Sequence, residues 1–527
     1  MYKRLLLVFA ALSVLVTCYP QSSSLKSISI GDIKDQMRYL SSDSLQGRKT
    51  GSAGNTRAGE YIAGEAAKVG LKPLPGQNSL FQTLPFQKIT VVTDSTCIIT
   101  RDTTGMVVTR GGYSPLMVPS SPVSLTGDVV FLGYGYINSK EKYNDLQGVQ
   151  INNKILIIMT RKPDVSGSGM PADDEEVSED TELRKLSSLM IMGPKAILYV
   201  ADPAYDKPVE QSFTSTESYK LVPQFKHQGW DFSINVGIIS SETANAILSG
   251  SGQTLAVLQK RIAQTKAPVS FVVPGIKGEI NVSIKKENVE SSNIVGYFEG
   301  TDSLLKNECV IYSAHYDHVG VDAAGEVFNG ANDNASGSVG LLQVAKAFSM
   351  LNKKPARSIV FLWATGEEEG LFGSNYYTAN PLFPLDKTVA DINFDMIGRS
   401  RMPADTGKVR GEKLDVTGRD SIRLVSARDS KEFINIVTAA GKENRLFVID
   451  NGKGLHFTGS DHYPFAVKGI PSVFFFTGLH RDYHKETDDY EFIDFNKMLK
   501  VSRTGFLTGL RVANLPGRLT IDKASNK

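Results

Sequence analysis

The chain has 527 residues, of which 41% are hydrophobic and 22% are charged. This length exceeds what one hydrophobic core usually holds, so we expect two domains or one domain with an insertion. The formal net charge of +2 gives no argument for nucleic acid or an anionic membrane surface as a partner, and we expect no nucleic-acid partner.

The first 18 residues have the pattern of an export signal. Tyr2–Arg4 is basic, and Leu5–Val16 is apolar but too short to span a bilayer as a mature helix. Leu15–Cys18 resembles a bacterial lipobox, whose cysteine is lipidated after cleavage. Two outcomes stay open: a lipidated Cys18 that attaches the protein to a membrane, or an ordinary cleaved signal peptide. Both predict export, to the periplasm or cell envelope or as a secreted protein.

Cysteine usage limits the chemistry of the mature chain. Only Cys97 and Cys309 follow Cys18 in the sequence. So few cysteines supply neither a disulfide framework nor a thiolate metal site.

The segment 30–112 is predicted to be the N-terminal part of the larger domain. Ile30–Leu74 has the spacing of two helices joined by the glycine-rich connector Ser44–Gly54, and Phe81–Arg110 alternates apolar and polar residues as strands do. A glycine-rich connector can cradle phosphate, but this one lacks the Gly-Lys-Ser/Thr ending and follows no strand. We interpret it as a turn.

The segment 113–285 is predicted to be a separate, β-rich domain without catalytic residues. Of the seven histidines it contains only His227, and its acidic residues cluster only in the polar loop Pro163–Asp180. One helix is expected at Leu183–Met192. The expected strands are Asp128–Gly135, which runs into a glycine turn, Lys154–Met159 and Ala196–Val200.

The segment 286–515 alternates strand-like and helix-like runs. This alternation predicts an α/β domain with a mostly parallel, mixed sheet flanked by helices. Six of the seven histidines fall between His315 and His484. Chemistry is therefore expected in this segment.

Apolar, strand-like runs in this segment end at or near potential metal ligands. In open α/β sheets, sites form outside the carboxyl ends of the strands, so these ends are expected to converge. The runs and the residues that follow them are Cys309–Ala314 before His315, Ser358–Ala364 before Glu367, Glu368 and Glu369, Val389–Phe394 before Asp395, and Pro471–Phe476 before His484.

Imidazole and carboxylate ligands without cysteine suit zinc or another divalent metal. Asp333 opens the helix-like run Val339–Phe348 and is placed to bridge two metals. A water held between two metals loses a proton near neutral pH, and a further carboxylate must carry that proton to the leaving group. Consecutive glutamates can divide this work, one as a ligand and one as a base.

The order and content of these motifs resemble the M28 family of di-zinc peptidases, over roughly residues 30–110 and 286–515. The resemblance implies an exopeptidase, and most simply an aminopeptidase, with two Zn²⁺ per chain and a metal-bridged hydroxide as the nucleophile. The motifs are Ala314–His318, Gly330–Gly337, Glu367–Ser374, Asn393–Gly398, Gly459–Phe465 and Tyr483–His484.

The resemblance also implies a role for each site residue. One metal is expected on His315, Asp333 and Asp395, and the other on Asp333, Glu368 and His484. Glu367 matches the general base, Asp317 the carboxylate that orients His315, and Tyr483 a tyrosine that helps hold the oxyanion. Glu369 is expected near the surface or behind the ligands. His318 and His462 stay open between the substrate pocket and a structural role.

The segment 113–285 resembles a protease-associated (PA) domain, which in this family is thought to lie over the active site and influence substrate access. The matching residues are Gly133–Gly135, Asn153–Leu156 and Gly193–Ile197.

Two kinds of alternative function stay open: other reactions on the same fold, and binding without catalysis. The same fold includes carboxypeptidases that act on acidic dipeptides and glutaminyl cyclases that use one zinc. A receptor-like binding protein that has lost its zinc is the non-enzymatic alternative, but no ligand is missing here. The preferred substrate side chain and the oligomeric state do not follow from the sequence.

Overall fold

The computed structural model describes residues 22–522, apart from 166–178, 205–218, 226–234, 323, 410–411, 427–429 and 455. The predicted signal peptide, most of the predicted acidic loop and His227 lie outside the described residues. Among the helices of the described part, none is both long enough and apolar enough to cross a membrane.

Several helices begin at a side chain that accepts a backbone N–H of the first turn, which supplies an acceptor that the helix itself lacks. Ser52, Thr254 and Asp494 are examples. The helices are α1 (Ser22–Ser27), α2 (Ile30–Leu40), α3 (Ala53–Lys68), α4 (Glu179–Met190), α5 (Ser241–Leu248), α6 (Leu255–Thr265), α7 (Gly337–Ser349), α8 (Phe372–Ala379), α9 (Lys431–Glu443), α10 (His462–Val467) and α11 (Phe495–Ala513).

The predicted strands Ala196–Val200 and Ser358–Ala364 are confirmed to the residue. The strands are β1 (Phe81–Val91), β2 (Cys97–Arg101), β3 (Val107–Gly112), β4 (Ser114–Pro115), β5 (Val123–Leu132), β6 (Ile137–Asn138), β7 (Tyr143–Asn144), β8 (Ile155–Met159), β9 (Ala196–Val200), β10 (Tyr219–Pro223), β11 (Asn235–Ile238), β12 (Ser270–Val282), β13 (Ile284–Phe298), β14 (Cys309–His315), β15 (Gly320–Val321), β16 (Val327–Phe328), β17 (Ser358–Ala364), β18 (Thr388–Phe394), β19 (Lys408–Val409), β20 (Glu412–Lys413), β21 (Ser421–Ser426), β22 (Phe447–Gly452) and β23 (Ser472–Phe476).

The first sheet has the strand order β10-β1-β13-β17-β14-β18-β23-β21-β22. The central strands β17, β14, β18 and β23 are parallel, whereas the pairs β10–β1, β1–β13, β13–β17 and β23–β21 are antiparallel. The predicted α/β class is confirmed, and the sheet is mixed, with the edge pair β21–β22 parallel like the central strands. All strands that precede predicted ligands are therefore neighbours with their carboxyl ends on one edge.

Apolar residues cover both faces of this central sheet, which explains why its strands are continuous apolar runs. On β14, Val310 and Tyr312 pack into the core beneath α7 and α11, whereas Cys309 and Ile311 pack on the opposite face with Phe465 of α10. Successive side chains alternate between the faces, as the pleat of a strand requires.

The second sheet has the order β3-β2-β12-β5-β8-β9-β11-β4 and its own hydrophobic core. It forms a β-rich unit within the predicted insertion 113–285, but its boundary differs from the prediction. Cys97–Gly112, assigned by sequence to the first domain, pairs with β12 and extends the second sheet. Alternation alone could not reveal this, because an alternating strand has the same pattern in either sheet. The assignment of this unit as a PA domain stays a prediction.

The two sheets are joined where the antiparallel strands β1 and β13 end. Val92 N–H donates to Ser283 O at 2.8 Å, so the chain leaves the first sheet and returns to it at one place. The strand β10 also comes from the insertion, yet it pairs with β1 at the edge of the first sheet. Beyond β10, the ring of Phe225 packs on Phe372 and Tyr376 of α8.

Candidate metal centre

His315 is the last residue of β14, which is buried along its whole length. Its main-chain carbonyl accepts a hydrogen bond of 2.7 Å from Ser338 Oγ in α7. Its Nδ1 lies 3.3 Å from the main-chain oxygen of Asp317. A carbonyl oxygen can only accept, so Nδ1 can donate to it, and Nε2 is directed at Asp333 and Asp395 as a potential metal ligand.

Asp333 lies in the turn that precedes α7. The turn begins at Gly330, whose φ is +53° and where an added Cβ would collide with the His318 ring, so glycine is required. Asn334 Oδ1 accepts the N–H of Gly337 at 2.8 Å, and the peptide bond between Asp333 and Asn334 is cis. Asn334 Nδ2 also donates to the carbonyl of Phe394 at 3.0 Å, which joins the turn to the end of β18.

Glu367 and Glu368 lie in the turn between β17 and α8. The carboxylate of Asp317 accepts the N–H groups of Glu367 at 3.3 Å and Glu368 at 3.4 Å, and also accepts the hydroxyl of Thr50 at 2.9 Å. Asp317 Oδ1 is 3.7 Å from His315 Nδ1. The predicted role of Asp317 in orienting His315 stays a prediction, and its hydrogen bonds show that it also holds the glutamate turn.

Asp395 follows β18 directly, and His484 lies in the loop after β23. Ser460 Oγ donates to Asp395 Oδ2 at 2.7 Å and accepts from Asn393 Nδ2 at 2.7 Å, which leaves Asp395 Oδ1 to face His315. The Tyr483 ring lies 3.9 Å from the His484 ring, centroid to centroid. The oxyanion role of Tyr483 stays a prediction.

Asp333 contributes one carboxylate oxygen to each of two groups of side chains. In the first ligand group (His315, Asp333 and Asp395), His315 Nε2 lies 3.3 Å from Asp333 Oδ1 and 3.3 Å from Asp395 Oδ1. In the second ligand group (Asp333, Glu368 and His484), His484 Nε2 lies 3.0 Å from Asp333 Oδ2 and 3.0 Å from Glu368 Oε2. All five side chains predicted as ligands therefore come together, and ligation itself stays a prediction.

The donor atoms fit a pair of divalent cations. Four-coordinate zinc with bonds of about 2.0–2.1 Å holds its ligand atoms about 3.3 Å apart. In each group the imidazole Nε2 lies 3.0–3.3 Å from the two carboxylate oxygens that it faces. The donors are imidazole nitrogens and carboxylate oxygens, which zinc accepts readily. A buried set of carboxylates also needs compensating positive charge, which cations would supply.

Burial and neighbouring charges shift the pKa values of the metal-free site in different directions. Burial by itself would lower the pKa of His315, but Asp395 and Glu367 raise it well above its ordinary value. Burial raises the pKa of Glu367 well above its usual range against the opposing charge of His315. For Asp333, burial would raise the pKa, but hydrogen bonds from His315 and His484 hold it well below the usual range.

His318 joins the second ligand group, a role that sequence reasoning left open. Its Nδ1 lies 2.7 Å from Glu368 Oε1 and 4.0 Å from Asp333 Oδ2. Together with His484, these side chains present potential ligand atoms within 4.8 Å of one another. The position of His318 next to Asp317 in the sequence was the one indication of this role. The direction of a side chain just after a strand end cannot be derived from the sequence.

His462 and Glu369 lie outside both ligand groups. His462 is completely buried and its ring stacks on Phe474 at 5.0 Å between centroids, which favours the structural role. Glu369 Oε1 lies 3.6 Å from Lys49 Nζ in a partly exposed ion pair.

Arg48 is a supporting residue that sequence reasoning missed, because it lies in the connector interpreted as a simple turn. Its buried guanidinium donates to the carbonyls of Leu40 and Tyr316 at 2.5 and 2.8 Å. It also donates to the carbonyls of Asn329 and Gly330 at 2.6 and 3.0 Å. One side chain therefore ties the residue after His315 to the start of the Asp333 turn.

The fold and the site define a class: an α/β domain with a cluster of imidazoles and carboxylates, a candidate metal centre, at the carboxyl ends of its parallel strands. Residues 293–507 match the family model described as Peptidase family M28, so the chain contains an M28 peptidase domain. The resemblance identified from the motifs is confirmed, and the matched residues include every predicted ligand. The predicted PA domain lies outside them.

Sequence relatives cover part of the chain. A leucine aminopeptidase 2 from Trichophyton equinum is 30% identical over 254 residues, which are 46% of this chain and 46% of that protein. A probable zinc metalloprotease from Pyricularia oryzae is 27% identical over 294 residues, which are 48% of this chain and 55% of that protein. The chain thus spans about half the length of these relatives.

Solved structures resemble nearly the whole chain. An aminopeptidase from Aneurinibacillus sp. strain AM-1 aligns over 96% of this chain and 98% of its own, with a TM-score of 0.55 and 19% identity. A zinc aminopeptidase from Bacillus subtilis aligns over 95% and 99%, with a TM-score of 0.53 and 18% identity. At these identities the likeness shows the fold.

Proposed function

We propose that this chain is a zinc-dependent exopeptidase, and specifically an aminopeptidase that removes N-terminal residues from peptides. The observation that carries the proposal is the division of Asp333, whose two oxygens face His315 and His484 separately. The M28 domain and the names of the relatives, leucine aminopeptidase and zinc metalloprotease, support the same class.

The proposed centre holds two Zn²⁺ per chain. His315 and Asp395 would bind one ion, Glu368 and His484 the other, and Asp333 both. Bound zinc supplies Lewis acidity, which polarises a carbonyl group and lowers the pKa of water.

Glu367 is the proposed general base. Its Oε2 lies 3.9 Å from His315 Nε2, whereas the nearest oxygens of Asp333 and Asp395 lie 3.3 Å from the same nitrogen. Glu367 is therefore next to the first ligand group but is not as close to the imidazole as the two proposed ligands are. A carboxylate at this position can take a proton from water and then give it to the leaving nitrogen. The Tyr483 hydroxyl would stabilise the oxyanion of the substrate.

The adjacent glutamates provide a matched test of this assignment. Glu367→Gln should lower kcat/KM by about 10²–10⁴-fold, because the amide accepts no proton, while the zinc content stays unchanged. Glu369→Gln, a change of the same size beside the partly exposed Lys49, should stay near wild type. Peptidase rates and elemental analysis measure both effects. Full activity in Glu367→Gln would refute the base assignment.

Substrate class and metal count separate the remaining alternatives. A panel of free-amine, N-blocked and N-terminal-glutamine peptides should show hydrolysis only with a free amine. Elemental analysis should give two zinc ions per chain. One zinc per chain together with cyclisation of the glutamine peptide would favour a glutaminyl cyclase, and hydrolysis from the carboxyl end would favour a carboxypeptidase.

Export and substrate access belong to the same proposal. Residues 1–18 would direct the protein out of the cytoplasm, and the second sheet with its helices would act as a PA domain that influences access to the centre. Mass spectrometry of the mature N-terminus would detect cleavage and a lipid on Cys18.

A further inference from the structure

Asp488 is a buried carboxylate directed at the main chain of the Asp333 turn. Its Oδ2 accepts the N–H groups of Asn332 and Asp333, both at 3.0 Å. Its own main-chain oxygen accepts the N–H of Ala331 at 2.8 Å. Three consecutive backbone donors of the turn therefore have their acceptors on one residue, which is 0% exposed.

We propose that Asp488 is a positioning residue that holds Asp333 where its two oxygens can serve two metal ions. This inference rests on the proposed zinc centre and adds a residue outside the ligand set. Asp488 has no contact of its own with the ligand atoms and acts through the backbone of residues 331–333.

The backbone of the turn explains why such a residue is needed. Asp333 has φ −110° and ψ 94°, which is not helical, so the turn does not supply its own N–H groups with acceptors as a regular helix does. Buried N–H groups without partners are costly. Without Asp488 the turn would relax toward other partners, and the carboxylate of Asp333 would move with it.

Two side chains lie behind Asp488, on the side away from the turn. Its Oδ1 is 3.8 Å from Nη1 of the cationic Arg399 and 3.9 Å from Nε2 of His480. Burial lowers the pKa of His480 to about 3, so Arg399 is the positive charge of this pair. Arg399 Nη2 donates to Asp482 Oδ2 at 2.6 Å, so the same guanidinium contacts both ends of the segment 482–488. His484 belongs to this segment. The segment 482–488 therefore contains His484 and also binds the turn that carries Asp333. One short segment thus positions two members of the second ligand group.

A matched control exists in the second sheet. Asp145 Oδ2 accepts the N–H groups of Tyr134 and Tyr136, both at 3.0 Å, and Asp145 is also 0% exposed. Its substitution removes two backbone hydrogen bonds of the same kind, together with one from the Tyr143 hydroxyl at 3.0 Å, from a turn that carries no predicted metal ligand. Substitution of either Asp145 or Asp488 should therefore destabilise the protein, but only substitution of Asp488 should change how well it retains zinc.

The test measures zinc release from the full-length, zinc-loaded protein into excess chelator with a colorimetric zinc indicator. Asp488→Ala should release zinc about 10–100-fold faster than wild type, the usual cost of losing a group that supports a ligand. Asp488→Asn keeps an oxygen that can accept both N–H groups, so its release rate should lie between these two. Asp145→Ala and Asp145→Asn should release zinc at the wild-type rate.

Different results would overturn different statements. Wild-type release rates in both Asp488 variants, or an equal acceleration in the Asp145 variants, would refute the positioning role and leave the zinc centre intact. If Asp488→Ala does not fold, the comparison of Asp488→Asn with Asp145→Asn decides. A wild-type protein that binds no zinc would refute the proposed function itself.

Discussion

The ligand residues carry opposite charges that compensate one another when no metal is bound. His484 Nε2 lies 3.0 Å from oxygens of both Glu368 and Asp333. Burial by itself would lower the pKa of His484, but these carboxylates raise it to about 9. The proton on His484 therefore stabilises the metal-free protein fully below its unfolded pKa of about 6.5, and this contribution is lost as the pH rises through about 9.

Zinc uptake should consequently release protons. Below pH 9, zinc must displace the proton on His484, so affinity should rise about tenfold per pH unit for this proton alone. Titration calorimetry of metal-free protein, in buffers with different heats of ionisation, should detect at least one proton released at pH 7 and fewer at pH 9.5. Zinc binding at pH 7 without proton release would contradict the charge balance described for His484.

The types of the ligand residues could be derived from the sequence, but their supports could not. His315 ends a buried strand and Asp395 directly follows one, and the carboxyl ends of neighbouring parallel strands lie on one edge of the sheet. Asp488 and Arg48 act through main-chain N–H and carbonyl groups, which are identical at every position. No pattern of side chains reveals which backbone groups a distant residue will meet.

At the scale of elements, α11 lies against the central strands because glycines remove the bulk between them. Tyr312 of β14 donates its hydroxyl to the carbonyl of Gly505 at 2.8 Å. A Cβ at Gly505 would collide with the Phe394 ring, and one at Gly509 with the Tyr312 hydroxyl. The close approach places this long helix on the strands that end at His315 and Asp395.

Gly509→Ala should therefore destabilise the protein by about 1–3 kcal/mol, because the buried Tyr312 has to move. Gly64 of α3 provides the control, since a Cβ there would meet nothing within 4 Å. Gly64→Ala should stabilise by about 0.5–1 kcal/mol, through the higher helix propensity of alanine. Urea denaturation measures both changes. Equal stability of the two variants would argue against the close contact.

Individual strands were more predictable than their partners. Ser358–Ala364 is apolar throughout because both of its faces are covered, and its limits follow from that run. The pairing of β10 with β1 joins residues of the insertion to the first sheet across more than a hundred positions. Such pairing depends on the tertiary arrangement. For the same reason, the sequence places Cys97–Arg101 with the first domain, although this strand pairs with β12 of the second sheet.

At the scale of the whole molecule, each sheet has its own hydrophobic core. Leu198 of β9 and Leu362 of β17 are both fully buried, one in each core. The candidate metal centre lies at the first sheet, which contains β17, whereas β9 belongs to the second sheet. Substitutions in the core of the first sheet should therefore affect zinc binding, whereas substitutions in the core of the second sheet should not.

Leu198→Ala and Leu362→Ala should each cost about 2–5 kcal/mol in the unit that contains them. Calorimetric unfolding should show that zinc raises the stability of the unit with β17, because a bound metal stabilises the state that binds it. Leu198→Ala should lower the unfolding temperature of the unit that contains β9, while the zinc content stays at the wild-type level. A single transition shifted equally by both variants would show that the two cores unfold together.

The second unit is inserted between the antiparallel strands β1 and β13, which are joined at Val92 and Ser283. It therefore takes the place that the loop of a β-hairpin would have. The strands on either side keep the same register whatever the loop contains, and the entropy of closing a loop grows only slowly with its length. The loop can therefore be lengthened, shortened or exchanged without a change in the register of β1 and β13. The edge strand β10 limits that freedom, because a replacement loop must also cover the edge of β1 that β10 now protects.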